Sequence, residues 1–220
     1  MAHVAGVDGC RGGWVVVIGA AAFVCRDFDA VLAGLDAETL IGIDMPIGLL
    51  DDHVPAGRVA DRAARSLLPG KRSSVFPAPS RCCFGIRTLD QARERNCRIN
   101  RQGINLLQKI EDVDARMSPV LQQRVYEVHP ELSFAAMNED RPVLSGKTRP
   151  PGRADRRALL EREGIVIPDR PRPYAEVKED DLLDACAALW SARRIGAGVA
   201  SRVPEPPPAD ARGLRMEIWW

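Results

Sequence analysis

Three short apolar runs follow one another at the N-terminus: His3 to Asp8, Trp14 to Ile18 and Phe23 to Arg26. The turns between them are rich in glycine and small residues. Runs so rich in valine and so closely spaced predict an antiparallel three-stranded meander. Asp27 or Asp29 can then cap a helix reaching about Asp36, with Phe28, Val31, Leu32 and Leu35 at helical spacing. Thr39 to Asp44 is a fourth strand, stopped by Pro46, so Asp44 stands at a strand's C-terminal end.

Downstream, helical patterns occupy about Arg58 to Leu68, Leu89 to Met117 with a break near Gly103, Pro130 to Met137, Asp155 to Glu163, and Glu179 to about Ile195. The fifth strand is Arg124 to Val128. A Pro-rich loop runs from Pro168 to Pro173, and Pro204 to Pro208 forms a stiff linker. The tail Leu214 to Trp220 either adds a short edge strand or packs its tryptophans on the domain. This order predicts an α/β fold: a mixed five-stranded sheet flanked by helices, with an insertion at about residues 51–105 after the fourth strand.

At 220 residues and 45% hydrophobic content the chain can bury one sizeable core, so residues 1–200 are expected to form a single domain, with 201–220 packed on it. No apolar run approaches the roughly 20 residues of a membrane span, and the first residues lack the charged and apolar regions of a signal peptide. A cytoplasmic protein without membrane contact is expected. The six cysteines show no zinc-type spacing and are expected to be reduced thiols.

The net charge of +1 conceals an asymmetry. Between His53 and Lys109 there are 12 Lys/Arg against 3 Asp/Glu, whereas the remainder carries 19 against 27. A chain that neutralises phosphates with one region and gathers carboxylates in another has this pattern. A solvated Arg-rich surface has it too.

Asp8 follows the first strand's apolar run, Asp44 ends the fourth strand, and Asp181 and Asp184, three apart on the last helix, share one face. Ligands of α/β sheets collect at the strands' carboxyl ends. Carboxylates gathered there repel one another unless a cation compensates, and hard Mg²⁺ or Mn²⁺ ions prefer oxygen ligands. Taken singly, each aspartate also has a turn or capping role open to it. Glu127 and His129 lie at the end of the fifth strand and Glu131 follows in the next helix: Glu127 or Glu131 is an accessory carboxylate, Glu131 also suits the first turn of that helix, and His129 is equally a neighbour of the ion or a structural group. The Gly9 to Gly13 turn is either a tight hairpin or a backbone cradle for phosphate.

The blocks GVDGCRGGWV, GIDMPIGL, SSVFPAPSR, YEVHPELSF, GRADRRALL and DDLLDACAALWSAR, spread between Gly6 and Arg194, together resemble the predicted RNase H-like nuclease family catalogued as domain of unknown function 429. The ending ADARGLRMEI is similar as well. The resemblance implies the fold of RNase H and of RuvC-type junction resolvases. It carries their acidic site onto Asp8, Asp44, and Asp181 with Asp184. The long basic insertion departs from simple RNase H domains, so no substrate preference follows from them.

The leading expectation is a Mg²⁺- or Mn²⁺-dependent nuclease with Asp8, Asp44 and Asp184 as metal ligands and Asp181 or Glu127 completing the catalytic shell. Arg58, Arg62, Arg65, Lys71, Arg72 and Arg81 are the expected phosphate contacts to DNA or RNA. Aromatic residues are only 5% and are not interleaved with these basic positions, so backbone or shape recognition is expected rather than base stacking. Two other classes compete: a non-catalytic RNase H-like nucleic-acid-binding module, and a sugar-kinase or actin-like phosphotransferase, which needs a second related domain that this chain does not repeat. The oligomeric state is open: Trp219 and Trp220 can pack against a partner, as in a homodimer, as easily as against their own domain.

Overall fold

A computed structural model of the chain describes residues 3–54, 56–95, 97–172 and 176–220. Pro173, at the end of the expected Pro-rich loop, lies outside them. The sheet is built from β1 (Val4–Cys10), β2 (Gly13–Ile18), β3 (Ala21–Cys25), β4 (Leu40–Ile43) and β5 (Val125–Glu127) in the order β3-β2-β1-β4-β5. The meander β1-β2-β3 is antiparallel, and β4 and β5 join β1 in parallel. The fold is thus α/β with a five-stranded mixed sheet flanked by helices.

Side-chain alternation divides β1 between two cores. Ala5 and Val7 face α1 (Phe28–Ala33) and α4 (Arg101–Arg116), together with Trp14, Val16, Ile41 and Ile43. Val15, Val17 and Cys10 face the opposite layer, made by α5 (Pro130–Met137), α6 (Pro150–Arg162) and α7 (Glu179–Gly196). Asp27 caps α1 by accepting the Ala30 N–H at 2.8 Å, and Trp14 stacks at a tilt on Phe28 with 5.9 Å between ring centroids.

Glycines at the sheet centre set how closely α7 approaches. Gly6 and Gly42 are paired in the parallel register of β1 and β4 and lie under α7. A Cβ on Gly6 would stand 2.0 Å from the Ala185 carbonyl oxygen, and one on Gly42 would stand 2.5 Å from that of Ala188. Helix backbone therefore rests directly on sheet backbone. Along each strand the next residue on that face is an aspartate, Asp8 or Asp44.

The insertion contains α2 (Val59–Ser66) and α3 (Leu89–Glu94). The expected break near Gly103 falls earlier: α3 ends at Glu94, and α4 starts anew with Asn100 accepting the Gly103 N–H at 2.8 Å. A local cap thus ends the irregular stretch, and Gly103 lies buried in the first turn. The helix expected from Asp155 begins instead at Pro150, because prolines are well suited to the first helical turn, where N–H groups have no partner. The Gly9 to Gly13 turn is a tight hairpin, with Cys10 paired to Gly13, and the Arg11 N–H donates to the Glu176 carbonyl.

Cys83 and Cys97 form a disulfide, which corrects the expectation of six reduced thiols. It closes a loop around α3, and the Cys82 sulfur lies within 4.8 Å of both partners. The vicinal Cys82-Cys83 pair was visible in the sequence, but its meeting with Cys97 depends on the turn of the insertion. Opening a loop of this length by Cys97→Ser is expected to cost about 2–3 kcal/mol, read as a lower denaturation midpoint. An unchanged midpoint would show that the bridge constrains nothing.

The C-terminal segment packs on its own domain. β6 (Arg202–Val203) pairs with β7 (Ile218–Trp219), and Trp219 bridges to Val128 beyond the end of β5. The Trp219 ring meets Tyr126 edge-on at 5.7 Å, and the Arg202 guanidinium lies over it. No described helix is long and apolar enough to cross a membrane.

Candidate metal centre

The register that pairs Val7 with Ile43 places Asp8 and Asp44 side by side at the carboxyl ends of β1 and β4. Both stand one alternation beyond the glycines on which α7 lies, and Asp184 descends from the first turns of that helix. One carboxylate oxygen from each of Asp8, Asp44 and Asp184 lies within 4.8 Å of the others. Asp8 and Asp184 are buried and Asp44 is half-buried. The three line a cavity of about 440 Å³ together with Glu127, His129, Glu131, Lys147 and Asp181.

So many carboxylates in one place raise the cost of ionisation. Burial and then the Asp184 charge push Asp44 up to about 7, and burial followed by Asp44 and Asp184 pushes Asp8 well up. A donor set of oxygens alone, with its charges too close for comfort, fits a hard divalent cation.

A pH dependence follows. Because the folded value of Asp44 is raised from 3.8 to about 7, its contribution favours the fold at low pH and is lost as pH rises through that window. In EDTA the melting temperature of wild type, measured against that of Asp44→Asn, is expected to fall as pH rises from about 4 to 7. A difference between the two proteins that stays constant across the window would contradict the crowding of these carboxylates.

A model of the family described as protein of unknown function (DUF429) matches residues 6–209. The chain belongs to that family. No curated protein and no solved structure matches it. The DUF429 match takes in all three clustered aspartates and every residue that lines the cavity except Ile218.

Asp181 lines the cavity but caps α7: its carboxylate accepts the Lys178 N–H at 2.9 Å. Glu127 also lines the cavity, yet both its oxygens are committed. Oε1 and Oε2 accept from Arg58 at 2.6 and 2.9 Å, and Oε2 accepts the Ile47 N–H at 2.7 Å. The expectation that Glu127 completes the catalytic shell is therefore corrected to an anchor for the loop after β4.

Glu131 is placed differently. Arg156 holds Oε1 at 2.6 Å, while buried Oε2 has no hydrogen-bond partner among the described residues. His129 reaches the Ser74 carbonyl with Nε2, which then carries the proton of the neutral ring, and its buried Nδ1 is an acceptor with no hydrogen-bond partner among the described residues. Of the two accessory glutamates the sequence left open, Glu131 is the one with an oxygen to spare.

The expected phosphate contacts separate into two groups. Arg58 is buried and gives its guanidinium to Asp61, Glu127 and the carbonyls of Ile47 and Gly48. Burial alone would weaken its charge, but Asp61 and Glu127 more than offset that. Arg81 is enclosed by Asp51, Asp114 and Asp210. These two are corrected: they are internal ion pairs, with no donor left for a phosphate. Arg65 donates twice to the Val75 carbonyl and Arg62 to those of Ala56 and Gly57. Arg62 and Arg72 are exposed, and Lys71 is partly so. Much of the basic segment's charge is thus cancelled by acids, several from distant parts of the chain.

Lys147 and Arg156 were not found by sequence reading. Lys147 Nζ lies 2.5 Å from Asp184 Oδ2, and Arg156 ties Glu131 to the Ser145 carbonyl of the loop that carries Lys147. Both come from segments remote in sequence from their partners. The GRADRR block was the only trace of Arg156.

Proposed function

We propose that this chain is a divalent-metal-dependent nuclease of RNase H-like architecture, hydrolysing phosphodiester bonds at the carboxylates of Asp8, Asp44 and Asp184. One observation carries the reading: three carboxylates from β1, β4 and α7 converge within 4.8 Å at the carboxyl end of a sheet ordered β3-β2-β1-β4-β5. That strand order agrees with the RNase H-like fold which the sequence blocks imply. Mg²⁺ or Mn²⁺ is the cofactor the donor set suits, and when bound it supplies Lewis acidity to the phosphodiester and to water.

The chain's own groups have separable roles in this reading. Asp8, Asp44 and Asp184 hold the cation. Glu131 Oε2 and His129 Nδ1 are proton acceptors in the same cavity. Exposed Arg62 and Arg72, with Lys71, are the phosphate contacts that remain after Arg58 and Arg81 are withdrawn and half-buried Arg65 is given to the Val75 carbonyl. DNA or RNA is held through its backbone by few cations, so the logarithm of affinity should fall with a shallow salt slope of about −2 to −3. A slope near −6 would require about twice as many phosphate contacts as these three.

Cleavage of a labelled panel of RNA, DNA, hybrid and four-way-junction substrates with Mn²⁺, Mg²⁺ or EDTA tests the proposal. Metal-dependent cutting by wild type that is lost in Asp44→Asn is the expected result. Binding without cutting by folded protein across the panel would replace it with the non-catalytic binding module.

A further inference from the structure

The cluster of acids has a resident cation of its own. Lys147 Nζ lies 2.5 Å from Asp184 Oδ2, and the Asp184 side chain is 2% exposed while that of Lys147 is 44% exposed. The ammonium thus enters from the open side of the cavity and ends against the least accessible carboxylate. Asp184, above all, holds Lys147 more firmly charged than an ordinary lysine, with Asp8 and Asp44 adding to the effect.

The loop that carries Lys147 is fixed at its backbone. Arg156 donates to the Ser145 carbonyl at 3.1 Å, the Ser145 hydroxyl donates to Asp155 at 2.5 Å, and the Arg149 N–H donates to the Gly146 carbonyl at 3.0 Å. Gly152 packs so closely on Gly146 that a Cβ would stand 2.1 Å from the Gly146 oxygen. With the backbone held, the side chain is the part that can swing. A flexible four-carbon stem ending in a point charge suits that motion.

We infer that Lys147 is a built-in counter-cation that exchanges with the divalent ion: its ammonium offsets one charge of the Asp8, Asp44 and Asp184 cluster when no metal is bound, and leaves Asp184 when one binds. This rests on the metal-site reading above. Two cations at the Asp184 carboxylate repel one another, so each weakens the other's hold by the same factor. The exchange keeps the buried carboxylates from standing uncompensated, and it turns Lys147 toward the cavity mouth, where a substrate phosphate arrives.

The test needs no catalytic turnover. The chain has four lysines, Lys71, Lys109, Lys147 and Lys178. Acetylation of folded wild type by an N-hydroxysuccinimide ester, read site by site by mass spectrometry, should speed up at least about threefold at Lys147 when Mg²⁺ is added, since Mg²⁺ frees the amine. Exposed Lys178 is the internal reference. In parallel, Lys147→Gln should bind Mn²⁺ roughly tenfold more tightly than wild type by calorimetry, a usual size for such coupling.

The outcomes separate the two readings. Mn²⁺ binding by wild type that is lost in Asp184→Asn, with no change in Lys147 acetylation and no tighter binding by Lys147→Gln, overturns the exchange and leaves the metal site standing. Binding by Lys147→Gln alone supports the exchange in its strongest form. No binding by wild type or by Lys147→Gln overturns both. Because the acetylation arm uses unaltered protein, a variant that fails to fold does not decide the matter.

Discussion

Arg58→Ala is expected to destabilise the protein by about 3–5 kcal/mol, the usual result of removing one partner from a buried ion pair. The guanidinium is 1% exposed and faces Asp61 at 2.5 Å and Glu127 at 2.6 Å. Truncation would leave two carboxylates in the interior with no opposing charge, and would release the Ile47 and Gly48 carbonyls as well. For a chain of this size the melting temperature should drop by roughly 10 °C. Arg58→Met combined with Glu127→Gln and Asp61→Asn should recover part of the loss, because it removes the charges along with their partner. If Arg58→Ala instead stays within about 1 kcal/mol of wild type while nucleic-acid affinity falls, Arg58 is a surface phosphate contact and does not hold Asp61 and Glu127 in a buried network.

Gly6→Ala is the second large effect. The added methyl would meet helix backbone, the Ala185 carbonyl at 2.0 Å and the Leu189 nitrogen at 2.2 Å, so no side-chain rotation relieves it. Either α7 lifts from the sheet or β1 bends, at an expected cost of about 3 kcal/mol, toward the upper end for overpacking. Asp184 rides on α7 and Asp8 follows Gly6 on the same face, so the substitution should also blunt any stabilisation by Mn²⁺. Gly9→Ala is the control, because the atoms nearest its methyl would belong to the Lys109 side chain rather than to backbone. Equal melting temperatures for the two variants would mean that α7 does not rest on β1 as described.

The strands were legible because their signal is local. Valine-rich runs between Gly turns gave the meander, Pro46 marked the end of β4, and Asp27 and Asp29 bracketed the start of α1, of which Asp27 is the cap. Pairing was legible only in part. The sequence carries Gly6-Val7-Asp8 and Gly42-Ile43-Asp44, the same glycine-x-aspartate spacing twice, and this repeat encodes both the seat for α7 and the position of two acids. It has meaning only once the strands are known to be neighbours.

Charge was the least legible property. The surplus of arginine between His53 and Lys109 suggested a phosphate-binding surface, but Asp114 and Asp210 lie far along the chain and converge on Arg81. Glu127 likewise withdraws Arg58 from solvent. A linear window counts charges without their partners, so it overstated the field. Lys147 illustrates the reverse error, because a single lysine between Gly146 and Thr148 carries no local sign that it ends at Asp184.

The most direct test of the central claim is an anomalous difference map from crystals soaked in Mn²⁺. A peak coordinated by the carboxylates of Asp8, Asp44 and Asp184, with Lys147 withdrawn from Asp184, is the result expected. Crystals of the same soak that place Mn²⁺ elsewhere, or nowhere, while the three carboxylates stand together would contradict it.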